Sequence, residues 1–419
     1  MNRLAHLNRL SQINSSKSIH FLTPIAQPGS HCPMHTAISL SAGIKGLSSI
    51  VIGSRECAYY SRNVPQVAEF VNGHHWSYVM DSDEVVFGCK DGLTDAIKQI
   101  DAAGAEAVAL ISTCVPEIIG DDIEGIIKEV QKQVKAKLLF MKVPQFDCNG
   151  STTGGLYFYE AMLALMEKHD KPARAVNLLG FDPAEWRRSY EPKLLSLLKQ
   201  NNIDLRYYFS SEASVTDYSK ASEASFNIVF SIHNIGLARR MKEAFGIPYF
   251  IFQDIYSVNE LDKALKMLED TFNIELQSHF AAERAEAADL EKSTAVLVQG
   301  KSFIMTTPYR DTLPMAAYLC GLGMKPLLIN ADEYCPHNKR WTEQILAGGH
   351  DPYLCHMVNE PADAEVLNTV DFDICIGKFK YIEGGRPCLQ DMSGLLLKYD
   401  YSRTSALLAM LTGGLNGAV

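Results

Sequence analysis

Cys32, Cys57 and Cys114 each stand where an apolar run or a turn-forming loop gives way to a helix or a turn. Cys32 lies in a Gly-Ser-His-Cys-Pro loop ahead of a helix predicted over Thr36–Ala42. Cys57 follows an apolar run and the turn Gly53-Ser54, and Cys114 follows the run Ala107–Ser112 and precedes Pro116. Three thiols carried on three such loops can meet in one crevice, and as thiolates they would ligate a metal centre of the iron–sulfur kind. The spacing is not the Cys-x-x-Cys of a zinc site. Most unpaired cysteines are buried small hydrophobes, so the residues alone leave a metal centre and plain burial both open.

The elements that must position these thiols are those of an α/β protein. From residue 30 on, short apolar runs suited to buried parallel strands alternate with helical patterns. Strands are predicted at Ser49–Ile52, Ala107–Ser112 and Lys137–Val143, with helices at Leu93–Ala103 and Asp121–Lys135. A breaker-rich linker follows at Phe146–Gly155. A second unit has a helix at Leu156–Lys168, a strand at Ala175–Gly180 and a helix at Glu191–Gln200. Strands follow at Asp204–Phe209, Asn227–Ile232 and Tyr249–Phe252, then one or two long helices over Asn259–Lys292. A third unit carries strands at Ser302–Thr307, Pro326–Asn330 and Asp373–Ile376, and helices at Asp311–Leu322 and Tyr399–Gly413. The expected organisation is an N-terminal arm over 1–29 lying on a partner subunit, a cluster-binding Rossmann-like domain over 30–155, a second over 156–292 and a third over 293–419. Cysteines 32, 57 and 114 fall in the first of these, near the carboxyl ends of strands, where α/β sheets place their ligands.

Composition narrows the function classes. The chain has 419 residues and a formal net charge of −10, with no dense Lys/Arg block, which argues against nucleic acid and acidic membrane surfaces. No apolar run approaches the roughly 20 residues of a membrane helix. The N-terminus lacks the continuous apolar stretch of a signal peptide, and ten cysteines spread over this length do not make the framework of a small secreted domain, so a cytoplasmic setting is expected. Gly300-Lys301-Ser302 precedes a strand, and Ala295 stands where a phosphate loop needs its upstream glycine, so no nucleotide site is read there.

The three cysteine segments resemble those of the β-type subunit of the nitrogenase component 1 superfamily and its nitrogenase-like relatives. In that family a Cys-Pro or Cys-Gln-Pro loop is followed by Gly-Ser-x-x-Cys-x-x-Tyr-x-Arg, matched here by Gly53, Ser54, Cys57, Tyr60 and Arg62. A Thr-Cys-x-x-Glu-x-Ile-Gly-Asp-Asp segment is matched by Thr113, Cys114, Glu117, Ile119, Gly120, Asp121 and Asp122. Weaker similarity runs to Gly377-Lys378. The resemblance implies three Rossmann-like domains with parallel sheets flanked by helices. It also implies a P-cluster (8Fe–7S) or a 4Fe–4S cluster held by Cys32, Cys57 and Cys114 together with cysteines of an α-type partner in an α2β2 heterotetramer. A separate homodimeric, ATP-dependent 4Fe–4S reductase would deliver electrons, and no catalytic residue is expected in this chain itself.

Particular residues qualify that picture. Ser151, in a Pro-x-Phe…Gly-Ser…Thr-Gly segment, is either an auxiliary cluster ligand or a turn residue. Cys148 departs from the pattern, and Cys89 replaces a glycine in Phe87-Gly88-Cys89; a structural role is expected for Cys89. The segment Phe230–Asn234 resembles the surroundings of the α-type cofactor cysteine yet has no cysteine, so the substrate cofactor is expected in the partner. His74 and His75 are expected at the surface or an interface. Cys335 with His337, and Cys355 with His356, are read as buried residues in preference to a zinc site. The turn Gly384–Cys388 is expected to face the partner. The resemblance favours an oxidoreductase subunit, with methylthio-alkane C–S bond reduction as the preferred activity, dinitrogen reduction next, and a scaffold for cofactor assembly as the alternative. The dark-operative protochlorophyllide reductase is similar in length and agrees less well with the two motifs.

Overall fold

The computed structural model describes residues 3–24, 32–144, 152–169, 173–181, 192–206, 213–306, 312–331, 333–377, 382, 385–390, 392–396 and 398–415. The chain divides into two compact units, one made of 30–190 and 202–251, the other of 1–29, 191–201 and 252–419.

The first unit is built on two four-stranded parallel sheets. One has the order β4-β3-β5-β6, from β3 (Leu47–Gly53), β4 (His75–Val79), β5 (Ala107–Ser112) and β6 (Lys137–Lys142). Every residue of β3 and β5 is buried, as continuous apolar runs in the middle of a parallel sheet require. Their side chains divide with period two. Val51, Ile111 and Leu139 join Met34, Ile38 and Phe158 on one face. Ile50, Ile52 and Leu110 meet Leu93, Ile97, Ile126 and Ile127 on the other. The helices are α1 (Pro33–Ala42), α2 (Arg55–Arg62), α3 (Ser82–Phe87), α4 (Lys90–Ala102), α5 (Cys114–Ile119), α6 (Ile123–Val130) and α7 (Thr152–Ala161). The second sheet has the order β10-β9-β7-β8, from β7 (Ala173–Leu179), β8 (Asp204–Arg206), β9 (Ala224–Val229) and β10 (Tyr249–Ile251).

Two features differ from the sequence reading for clear reasons. The glycines at the end of the expected linker lie inside α7. A Cβ at Gly154 would sit 2.2 Å from the carbonyl oxygen of Pro33, so the glycine permits close helix contact with α1 and breaks nothing. β4 was not anticipated because His-Trp-Ser-Tyr-Val is half polar. It is an edge strand whose serine and histidine are used in the packing. Ser49 Oγ lies 2.8 Å from His75 Nδ1 and Ser61 Oγ 3.0 Å from Nε2, so the imidazole ties β3 to α2, the helix that carries Cys57. His74 is exposed as expected, whereas His75 is not. Burial pushes its pKa down to about 4.

The second unit carries the sheet β1-β13-β12-β11-β14-β15. Its strands are β11 (Ser302–Met305), β12 (Lys325–Asn330), β13 (Tyr353–His356), β14 (Ile374–Ile376) and β15 (Cys388–Leu389). The N-terminal residues add β1 (Asn8–Arg9), antiparallel to Tyr353–Leu354, and β2 (His20–Phe21), parallel to Cys355–His356. The arm expected on a partner is therefore paired with this chain's own edge strand, whose backbone groups would otherwise stand open. Two helices, Val258–Phe272 and Ala281–Val298, fill the long helical stretch, separated where Asn273 adopts a left-handed conformation. The Lys301-Ser302 pair is occupied structurally. Lys301 Nζ lies 2.9 Å from Asp373 Oδ1, and the backbone N–H and hydroxyl of Ser302 donate to Asp373 Oδ2.

His75 sets a pH dependence. Its folded pKa lies below the ordinary value near 6.5, so its stabilising contribution is complete above about pH 6.5 and is lost as pH falls towards 4. Urea unfolding should show the loss of about 2 kcal/mol between neutral pH and about pH 5 from this group, and His75→Gln should remove that increment. An unchanged pH slope in the variant would contradict the assignment.

Candidate functional site

Each of the three cysteines begins a helix. Cys32 is the residue before α1, where Pro33 occupies the first helical position, a place that costs proline nothing because no N–H is needed. Cys57 is in the first turn of α2, and Ser54 caps that helix by accepting the N–H of Cys57 at 3.3 Å. Cys114 opens α5 directly after β5. α2 and α5 therefore leave the carboxyl ends of β3 and β5, which are hydrogen-bonded neighbours.

The thiols are near one another. Burial pushes the Cys32 thiol up to about 11. The N–H of Met34 pulls it down in part, and the neighbouring Cys114 and then Cys57 push it up further. Cys32 and Cys57 are half-buried against the apolar core. Helix N-termini favour anions, so the positions suit thiolates once a cation balances their mutual repulsion. Among the described residues no group of three or more His, Cys, Asp or Glu side chains forms a single-ion site. The three thiols are near enough to interact electrostatically at Cys32.

The motif residues around them fix the spacing. A Cβ on Gly53 would lie 2.0 Å from Thr113 Oγ1, so only glycine lets the β3–α2 turn approach the β5–α5 turn this closely. The hydroxyl of Thr113 donates to the Ile52 carbonyl at 2.8 Å. Glu117, almost buried, accepts from Ser112 Oγ at 2.5 Å and pairs with Lys142 of β6. Gly120 ends α5 in a left-handed conformation. Asp122 caps α6 by accepting from the Gly125 N–H at 2.9 Å. Asp121 accepts from the Cys89 N–H at 2.9 Å. Cys89 is 1% exposed, and burial with the Asp121 carboxylate raises its thiol pKa. It has the structural role expected of it.

The short helices around the cysteines expose apolar side chains. Tyr59 and Tyr60 on α2, Val86 and Phe87 on α3, and Ile118 on α5 are all exposed, Phe87 to 85%. Spacing alone does not reveal this cluster, because the residues come from three separate helices. Ser151 and Cys148 lie outside the described residues.

In the other unit the residues of the two sequence pairs have other partners or are buried. Cys355 and His356 are buried on β13. His337 Nε2 meets Asp254 Oδ2 at 2.5 Å, and Cys335 caps a short 3-10 turn. Cys375 and Cys388, not paired in the sequence reading, are joined by a disulfide. The reason is register: they lie directly opposite on neighbouring strands.

A family model described as nitrogenase component 1 type oxidoreductase matches residues 32–405. The nitrogenase iron-molybdenum cofactor biosynthesis protein NifE of Rippkaea orientalis is 25% identical over 303 residues, covering 70% of this chain and 61% of that protein. The NifE of Clostridium pasteurianum is 27% identical over 229 residues, covering 53% and 49%. The nitrogenase molybdenum-iron protein alpha chain of Methanothermococcus thermolithotrophicus is 23% identical over 365 residues, covering 80% and 74%. The match thus spans about half to three fifths of these NifE proteins' own length. A solved structure described as nitrogenase Cp1 at pH 6.5 superposes with a TM-score of 0.64 at 15% identity, covering 94% of this chain and 93% of that one, which establishes a shared fold. Among the described residues no helix is long and apolar enough to cross a membrane.

Glu117 holds the α5 turn through a hydroxyl and an ammonium. Glu117→Ala should cost about 1–3 kcal/mol in urea unfolding, because it strands the Ser112 hydroxyl and removes one partner of Lys142. Glu117→Gln should cost less. Equal stability of Glu117→Ala and the parent would show that the contacts do not hold the turn.

Proposed function

The chain belongs to the nitrogenase component 1 type oxidoreductase family, and on that premise we propose that it is a β-type, cluster-holding subunit of a nitrogenase-like complex. The observation that carries the reading is the nearness of three thiols at three helix starts, felt at Cys32 as repulsion from Cys114 and Cys57. A cluster several iron atoms across spreads its thiolates more widely than one ion does, and cubane clusters take four. Three donors in one chain therefore call for at least one more from a related partner, and Ser151 is either an auxiliary ligand or a turn residue. When bound, the cluster would supply one-electron storage and transfer.

What this chain's own residues contribute is positional. Cys32, Cys57 and Cys114 would neutralise iron charge. Gly53 and Thr113 keep two of the thiol-bearing turns in contact, and Cys32 and Cys57 pack against the apolar core. The exposed apolar side chains around the cysteines suit a chain that is complete only in an α2β2 assembly. ATP would be hydrolysed by a separate iron–sulfur reductase, in keeping with a Lys301-Ser302 pair already engaged by Asp373.

The preferred reaction is reductive cleavage of C–S bonds in small organic sulfur compounds, with the substrate cofactor in the α-type partner. A second reading, a scaffold for cofactor assembly, is favoured by the names of several relatives, which are cofactor biosynthesis proteins. The relatives named above are NifE proteins and an alpha chain, so the β-type assignment rests on the cysteine motifs.

Anaerobic co-purification with the α-type partner should yield iron and acid-labile sulfide. Cys57→Ala or Cys114→Ala should lower both by more than half while the Cys89→Ala variant keeps them. Iron content unaffected by either substitution would end the cluster reading. Substrate reduction by the complex with its reductase would support the enzyme, whereas transfer of a cofactor to an apo-enzyme without turnover would support the scaffold.

A further inference from the structure

The disulfide between Cys375 and Cys388 lies at a mechanically weak place. β15 is two residues long and ends the sheet. Its backbone bonds to β14 include those from the Cys375 N–H to the Pro387 carbonyl and from the Gly377 N–H to the Leu389 carbonyl, both 2.9 Å. A strand this short has little stability of its own. Just before it, Arg386 donates to the Val370 carbonyl at 2.6 Å and lies over the Phe372 ring at 4.7 Å. The Cα atoms of the two cysteines are 4.5 Å apart, within bridging range. The sulfurs differ in access: Cys375 is 0% exposed, whereas Cys388 is only partly buried. The other described cysteines carry no disulfide.

We propose that Cys375 and Cys388 form a reversible dithiol–disulfide latch, which sets how firmly the edge strand β15 is held and which exchanges with low-molecular-weight thiols of the glutathione class. The accessible sulfur is the point of attack. An external thiolate bonds to Cys388 Sγ, the Cys375–Cys388 bond breaks, and its electron pair leaves on Cys375 Sγ, which takes a proton. A second external thiolate then attacks the external sulfur of the mixed disulfide, releasing Cys388 as a thiol after protonation. Two external thiols are thereby oxidised to one disulfide while the protein pair gains two electrons and two protons. The external disulfide is the oxidant in the reverse direction. With the crosslink open, β15 keeps its backbone bonds, the Arg386 contacts and the packing of buried Leu389 but loses its covalent tie, so opening of β15 becomes more frequent. This inference does not rest on the cluster reading.

The full chain is incubated in glutathione buffers ranging from reducing to oxidising and quenched in acid. Differential alkylation with mass spectrometry then reads the Cys375–Cys388 linkage, and hydrogen exchange reads peptides over 374–377. The linked fraction should follow the buffer poise reversibly in the folded protein. Exchange at Gly377 should quicken by about tenfold or more in the dithiol form. Cys388→Ser should show the fast exchange in every buffer, and Cys320→Ser should behave as the parent. The parent titration decides the matter even where Cys388→Ser fails to fold. A linkage absent at every poise, a linkage that opens only on unfolding, or exchange at Gly377 indifferent to the redox state would each overturn the proposal.

Discussion

The contact between Gly53 and Thr113 is the constraint on which the candidate site depends. β3 and β5 are adjacent parallel strands, so the turns that leave their carboxyl ends compete for the same space, and an ordinary side chain at 53 would collide with the threonine hydroxyl. With glycine there, α2 and α5 start side by side. α1 is brought to the same core face, where a second glycine, Gly154, lets α7 lie against it. Three helix starts then bring the thiols near one another, and the Cys32 thiol is pushed up mainly by burial and further by Cys114 and Cys57.

The motif residues divide the work. Glu117 and Thr113 anchor the turn that carries Cys114, Ser54 caps the helix that carries Cys57, and His75 ties that helix to the sheet. None of these side chains needs to touch a cofactor to be required for one. Residues such as Glu117 and Asp122 in the matched segments thus have a local mechanical reason to be acids at those positions, independent of any role in electron transfer.

Much of this was legible in the sequence. The fully buried strands β3 and β5, and β6 with its exposed lysine ends, announce themselves as apolar runs, and α1, α4 and α6 by their period, whereas the short helices α2, α3 and α5 do not. Ile232 was expected in a strand and lies in the turn after β9, because Ser231 and Asn234 close a 3-10 turn that a hydrophobic pattern does not encode. β4 escaped notice because an edge strand tolerates polar residues, and its His75 was read as a surface group although two serines from other elements enclose it. The arm strands and the Cys375–Cys388 bond depend on pairings across 340 or so positions and across a sheet edge, which only the fold brings together. The candidate cysteines themselves were found by type and context. Their mutual nearness was a spatial fact that the fold supplied.

The central claim is that Cys32, Cys57 and Cys114 together hold iron. Its most direct measurement is an anaerobic crystal structure of the chain with its partner, with data collected on both sides of the iron absorption edge. The account predicts an anomalous iron peak in contact with all three sulfurs. Iron density elsewhere, or none beside these cysteines in a complex that retains its activity, would contradict it.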